Sequence, residues 1–349
     1  MVILDFSKAF DTVPHDKLMY KLEKYGLKGD LHKWLTSFLI KREMRVVIEG
    51  EQSNKAVVES GVPQGTVLGP LLFLYHINDL PECVKSQVRL FADDCLLYRQ
   101  IKNREDHILF QNDLTCLEEW AHNWGMRFNA KLCYVMSIKG KPSCLYNLDK
   151  TVLQQVRENP YLGILLSEDL GWSKHIATTA NKASSTLGFV RRNLKNFPIS
   201  CRKTAYIALV RSVLEYGSVV WDPYLTRDID KFERIQRNGA RFITGDYKSR
   251  HEGAVTNMLK DLDLPTLQDR RTNAKLVFLY KVVEGLVPAI DPDSFIKPNR
   301  PKRQIRSVKF TDCVTQNIID RQVTNKTRSF AIPVSKTNQY RISFLLTLL

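Results

Sequence analysis

Val88-Arg89-Leu90-Phe91-Ala92-Asp93-Asp94-Cys95-Leu96-Leu97-Tyr98 is the stretch that decides how this chain of 349 residues is read. Two short apolar runs flank a pair of adjacent carboxylates, which is the pattern of a tight β-hairpin with Asp93 and Asp94 at its tip. Like charges a few ångströms apart repel, and each raises the other's pKa. A divalent cation removes that penalty, and hard carboxylate oxygens suit Mg²⁺, which recruits substrate phosphates for its remaining positions. An Asp-Asp pair is also common punctuation in a turn, so its meaning depends on the rest of the chain.

A third carboxylate lies in Val2-Ile3-Leu4-Asp5-Phe6-Ser7-Lys8-Ala9-Phe10-Asp11. Val2 to Leu4 reads as a buried strand with Asp5 at its end. Asp11 or Asp16 can cap the amphipathic helix that follows, with Leu18, Leu22 and Tyr25 on one face. If this strand lies beside the hairpin, Asp5, Asp93 and Asp94 converge at one edge of a sheet, the geometry of a two-metal site.

Between the acidic segments stands Ser60-Gly61-Val62-Pro63-Gln64-Gly65-Thr66-Val67-Leu68-Gly69-Pro70-Leu71-Leu72-Phe73. Glycine permits close approach to the main chain, and Pro70 suits the first turn of a helix running from Leu71 to Leu80.

Together the segments LDFSKAFDTV, SGVPQGTVLGPLLF and FADD, in that order, resemble the reverse transcriptases of non-LTR (LINE-type) retrotransposons, the jockey-like branch among them. The resemblance continues through Trp120 to Met136 and Tyr161-Leu162-Gly163, and to about residue 290. It implies an RNA-directed DNA polymerase that extends a primer 3′-hydroxyl with deoxynucleotides. Two Mg²⁺ ions, with Mn²⁺ as a possible substitute, would be held by Asp5, Asp93 and Asp94. It implies that Phe10 is a steric gate beside the sugar, that Gln64 and Gly65 contact the incoming nucleotide and template base, and that Phe91 and Ala92 form the segment before the aspartates. RNA template, DNA primer and deoxynucleoside triphosphates are the implied partners.

Two departures from the family pattern stand out. Where the family has a lysine three residues after the position of Asn129, close enough to assist the leaving pyrophosphate, this chain has Leu132; the adjacent Lys131 takes that role if a loop carries it, whereas on a strand a one-residue displacement points it to the opposite face and leaves it a solvated lysine. Met1 precedes the first acidic block by only a few residues, and the chain ends in Phe344-Leu345-Leu346-Thr347-Leu348-Leu349. The expectation is a partial reading frame without the amino-terminal fingers or an endonuclease domain. A catalytically inactive fragment that at most binds RNA or DNA is the alternative.

Composition agrees with a polyanionic partner. The chain carries 52 Lys and Arg against 37 Asp and Glu, a formal charge of +15, and its hydrophobic content of 44% is enough to build cores. Residues 106 to 124 repeat Phe110, Leu114, Leu117, Ala121 and Trp124 as one helix face, and Ile176, Ala180, Ala183, Leu187, Val190 and Leu194 mark another. Lys182, Arg191 and Arg192 lie off the second face. From Asp228 to Thr244, Ile229, Phe232, Ile235 and Phe242 form an apolar face, while Lys231, Arg234, Arg237 and Arg241 form a basic stripe that can follow a phosphate backbone or be a solvated face.

Lys297 to Lys309 is basic and free of acids, the pattern of a nucleic-acid arm, a nuclear-import signal or, most commonly, a solvated linker. Seven cysteines show no CxxC pair, and no apolar run is long enough to span a bilayer; Arg211 and Glu215 break the one around Ala205 to Trp221. The expected localisation is therefore intracellular, in the nucleus, the cytoplasm or both. The expected architecture is an α+β polymerase palm over residues 1–165, a helical thumb and connecting region over 166–290, and a basic irregular tail over 291–349.

Overall fold

The strand Val2–Leu4 (β1) lies in the middle of a five-stranded sheet whose other members are Gln87–Phe91 (β2), Asp94–Tyr98 (β3), Tyr134–Val135 (β4) and Gln154–Gln155 (β5), in the order β5-β4-β1-β3-β2. All pairs are antiparallel except β5 with β4. The computed structural model describes residues 1–138 and 144–290, in two units that divide after Gly171. The basic run at Lys297, the apolar carboxyl end and Cys313 lie outside the described residues.

Pleating sends Val2 and Leu4 of β1, and Cys95 and Leu97 of β3, to one side. There they join Leu18 and Leu22 of the helix His15–Lys24 (α1), Leu35 and Leu39 of Gly29–Leu39 (α2), Leu72 and Phe73 of Leu68–Ile77 (α3), and Leu114 and Leu117 of Arg104–Trp124 (α4) in one core. Asn103 starts α4 with a capping box: its side chain accepts from the Asp106 N–H, and the Asp106 carboxylate accepts from the Asn103 N–H.

Neither Asp11 nor Asp16 caps α1. Pro14 holds the N-cap, Asp16 lies in the first turn, and Asp11 belongs to a preceding short helix, Ala9–Thr12. Tyr25, expected on the buried face, follows the last turn of α1 and stays exposed. α3 starts at Leu68, two residues before Pro70, and ends at Ile77; Leu80–Cys83 forms a separate 3₁₀ turn. A side-chain bond helps this early start, since the Thr66 Oγ1 accepts from the Gly69 N–H at 3.0 Å.

One ammonium joins three helices. Lys21 of α1 is buried, donates to the carbonyl of His76 on α3 and to Asp79, and sits 3.7 Å from the ring centroid of Trp124 at the end of α4. The Trp120 indole N–H donates to the same Asp79 carboxylate at 3.2 Å. Desolvation, reinforced by the Lys21 cation, lowers the His76 imidazole from 6.5 to about 4.

In the second unit, the helices Ser173–Asn193 (α5) and Thr226–Thr244 (α6) pack along the faces their periodicities predict: Ile176, Ala180, Ala183, Leu187 and Val190 are buried on α5, and Phe232, Ile235 and Phe242 on α6. The segment between them runs from Ile199 to Glu215 with a π-helical stretch, Tyr206–Arg211. Tyr206 there is fully buried, and its ring fills the notch that Gly239 of α6 leaves open: a Cβ at Gly239 would lie 2.4 Å from it.

Two outcomes follow. A Gly61→Ala change, where φ is +86° and a Cβ would stand 2.7 Å from the Asp11 Cα, is expected to destabilise the first unit by about 3 kcal/mol, measurable by urea unfolding. Because the His76 pKa is lower folded than unfolded, its contribution is complete above pH 6.5 and is lost as pH falls toward about 4; His76→Gln, compared by unfolding at pH 7 and pH 5, is expected to flatten that dependence.

Candidate active site

The hairpin β2–β3 closes with Phe91 opposite Asp94, so Ala92 and Asp93 are its two turn residues, and Ala92 takes the left-handed φ of +51° such turns use. Leu4 pairs with Cys95, which puts Asp5 and Asp94 on the next rung of adjacent strands. The period of two carries Asp5 to the side of Ile3, and Asp94 to the side of Leu96, away from the helical core. Three carboxylates from segments nearly ninety residues apart thus meet at one edge of the sheet.

Their electrostatics show the crowding. The Asp5 carboxyl is raised above its usual range by desolvation and then by Asp93 and Asp94; the Asp94 carboxyl is raised by desolvation and then by Asp93. Asp93 and Asp94, like Asp5, form no side-chain hydrogen bond or ion pair with the described residues. Among those residues no group of three or more His, Cys, Asp or Glu is closed into a metal cage. The hard oxygen donors and uncompensated charge suit a divalent cation, while the side chains are not drawn around one point.

The backbone at Asp5 is held firmly. Its carbonyl accepts from the Asn129 N–H at 2.8 Å, and its N–H donates to the Cys133 Sγ at 3.4 Å. A 3₁₀ turn, Ala130–Leu132, interrupts the strand that would otherwise continue the ladder there. Lys131 is therefore exposed on a turn, so strand alternation does not set its direction relative to Leu132, which is itself 49% exposed. Of the two alternatives for residue 131, a loop or a strand, the structure has the former.

The glycine-rich segment folds back on the acidic one. Val62 N–H donates to the Phe10 carbonyl at 2.8 Å, Gly61 N–H to the Val13 carbonyl at 2.8 Å, and Ser60 Oγ to the Asp11 carbonyl at 2.8 Å. His15 Nε2 and Arg42 Nη2 each lie 2.9 Å from the Gly61 carbonyl. Phe10 is half-buried and stacks on Phe73, with centroids 4.4 Å apart. Gln64 and Gly65 are exposed; Gly65 has φ +80° and open space around it, so its requirement for glycine is conformational. Phe91 is 63% exposed.

Sequence reading missed the parts that brace this site. Asn129, Cys133, His15 and Arg42 act through single long-range bonds that leave no periodic trace. Tyr161, in the hairpin Glu158–Tyr161 with Ile164–Ser167, has a buried hydroxyl with no hydrogen-bond partner among the described residues, and its pKa is raised by burial first and by Cys95 and Asp94 next. Arg89 on β2 is near enough to oppose that rise, and its buried Nε likewise has no partner among the described residues.

In the second unit, Lys182, Arg191, Arg192, Arg234 and Arg237 are exposed. Lys231 pairs with Asp228 at 2.8 Å, and the Arg241 guanidinium donates to the carbonyls of Asp246 and Ser249 at 3.2 and 2.9 Å, closing the loop after α6. Residues 172 to 214 hold eight Lys and Arg and no Asp or Glu.

Residues 1–166, which carry the sheet-end carboxylates and the glycine-rich loop, match the family model described as reverse transcriptase (RNA-dependent DNA polymerase). That segment, a little under half of the chain, belongs to that family. Within it, the resemblance is to the polymerases of jockey-like non-LTR mobile elements. The chain is 28% identical over 282 residues to the probable RNA-directed DNA polymerase from transposon X-element of Drosophila melanogaster, covering 77% of this chain and 30% of the relative. It is 28% identical over 289 residues to the RNA-directed DNA polymerase from mobile element jockey of the same species, covering 77% and 31%. Against the jockey polymerase of Drosophila funebris the identity is 31% over 258 residues, covering 69% and 28%. The chain thus spans about 30% of the length of these curated relatives. A solved telomerase from Candida albicans, in complex with the TWJ fragment of telomeric RNA, aligns with a TM-score of 0.37 at 14% identity over 75% of this chain and 46% of that one, a distance at which it fixes no detail.

Repulsion among the three carboxylates has a measurable consequence. Asp93→Asn is expected to raise the melting temperature in EDTA by about 1–2 °C, while millimolar Mg²⁺ stabilises the parent more than the variant. Acid relieves the same repulsion, so the penalty is present at neutral pH and fades as pH falls through the raised pKa values of Asp5 and Asp94. Calorimetry with and without Mg²⁺ checks both.

Proposed function

We propose that this chain carries the palm and helical thumb of an RNA-directed DNA polymerase, and that it extends a DNA primer on an RNA template with deoxynucleoside triphosphates. The observation that carries the reading is the convergence of Asp5, Asp93 and Asp94 on one sheet edge, without counter-charge among the described residues, in a segment of this family. Their oxygen donors would hold two Mg²⁺ ions, which when bound supply the charge that favours attack of the primer 3′-hydroxyl on the α-phosphorus and departure of pyrophosphate.

The chain's own residues do the positioning. The ladder from β1 to β3 fixes Asp5 against Asp94, and the Asn129 N–H holds the Asp5 carbonyl. Phe10, braced on Phe73, would act as a gate against a 2′-hydroxyl. Gln64 and Gly65, on the loop stapled to Phe10 and Val13, would meet the nucleotide and template base. Exposed Lys131, two residues from the Asn129 clamp on Asp5, would assist the leaving group. In the second unit the acid-free stretch and the exposed Lys182, Arg191, Arg192, Arg234 and Arg237 fit a phosphate backbone. Lys231 and Arg241 would contribute less, because each already has a partner.

A second reading, binding of RNA or DNA without catalysis, draws on the absence of a closed metal cage among the described residues. Primer extension on an RNA template with Mg²⁺ separates the two. Extension that falls by at least ~10²-fold in Asp93→Asn while duplex binding persists is the expected result; binding by both chains with extension by neither establishes the second reading.

A further inference from the structure

Asp11 was expected to cap a helix and does not. Its carboxylate Oδ1 instead accepts from the Gln64 Nε2 at 3.0 Å, across 53 positions of sequence. The same residue meets the glycine-rich loop twice more: its carbonyl accepts from Ser60 Oγ at 2.8 Å, and its backbone lies so close to Gly61 that no Cβ fits there. Both Asp11 and Gln64 are exposed, and the bond between them ties the turn after Phe10 to the loop.

The chemistry of the two groups fixes the direction of the amide. An ionised carboxylate has no hydrogen to give, so only the NH₂ end of Gln64 can face it. The amide carbonyl Oε1 is then turned away from Asp11. A free glutamine rotates between presenting a donor and presenting an acceptor; one tied in this way presents an acceptor.

We infer that Asp11 is a positioning residue for Gln64, holding its amide so that Oε1 is offered to a hydrogen-bond donor of the incoming nucleotide or template base. The inference rests on the nucleotide-site reading of Gln64 given above. It goes beyond it by naming the residue that sets the orientation and the type of group recognised. Asp11 touches neither metal-binding carboxylates nor substrate in this scheme; it acts through Gln64.

The measurement is formation of a stable ternary complex between the full chain, an RNA template annealed to a dideoxy-terminated DNA primer, and the next complementary deoxynucleotide with Mg²⁺, read by gel shift against a heparin trap so that no chemistry is required. Asp11→Ala is expected to raise the deoxynucleotide concentration for half-maximal complex by ~10-fold, and Asp11→Asn, which keeps an acceptor oxygen, by much less. Gln64→Glu, which sets two carboxylates face to face, is expected to lose as much as Asp11→Ala. The double change Asp11→Asn with Gln64→Glu restores a donor facing an acceptor and leaves an oxygen presented outward, so it is expected to recover most of the loss.

Deoxynucleotide dependence of Asp11→Ala equal to that of the parent, or failure of the double change to recover what Gln64→Glu loses, overturns the inference while the polymerase reading stands. A parent chain that forms no deoxynucleotide-dependent complex overturns the nucleotide-site reading and the inference with it. Thermal melting of each variant, expected to match the parent, separates misfolding from the orientation effect; if Asp11→Ala melts early, the Gln64→Glu pair of variants decides the matter alone.

Discussion

The structure depends most on the antiparallel ladder between the strand Val2–Leu4 and the strand Asp94–Tyr98. It is the interaction that brings Asp5 to the hairpin turn, and it does so against electrostatic resistance, since Asp5 and Asp94 are both raised above the ordinary carboxylate range. A three-residue strand cannot impose that on its own. It succeeds because Val2 and Leu4 are almost fully buried among residues of four helices, so register slippage by one residue would carry both out of that core and turn the carboxylate side of the strand toward it.

The second support is made of backbone rather than side chains. The turn at Phe10 to Val13 and the loop at Ser60 to Gly61 exchange main-chain hydrogen bonds at a distance only glycine allows, and the loop leads directly into the helix carrying Phe73, on which Phe10 stacks. The acidic segment, the glycine-rich segment and the core helix are therefore one mechanical unit. In a polymerase this matters because metal-bound and nucleotide-binding groups must hold a fixed separation to within a fraction of an ångström.

Charge is distributed differently in the two units. The first places at the end of its central strands three acids whose side chains have no partner among the described residues. The second combines an acid-free stretch with buried ion pairs, among them Arg271 with Asp222 at 3.0 Å, which order the helices rather than face a ligand. Arg241 shows why a basic stripe read from periodicity overcounts its uncommitted cations: helical spacing puts Arg241 in line with Arg234 and Arg237, but the loop after the helix turns its guanidinium to the carbonyls of Asp246 and Ser249.

The sequence alone determined the β-hairpin at Phe91 to Asp94, the neighbouring strand ending at Asp5, and the buried faces of the two long helices in the second unit, because each is a local pattern: an apolar alternation or a 3.6-residue period that burial makes almost unavoidable. Its ordered acidic and glycine-rich blocks also carried the family. What only the tertiary structure decided was which polar groups find one another. That Asp11 faces Gln64 and caps no helix, that the Asn129 N–H and the Cys133 thiol secure Asp5, and that Lys131 stands on a 3₁₀ turn all depend on single contacts between distant segments. Such contacts have no period and no composition; they exist only once packing of the core has fixed the distance between the chains that make them.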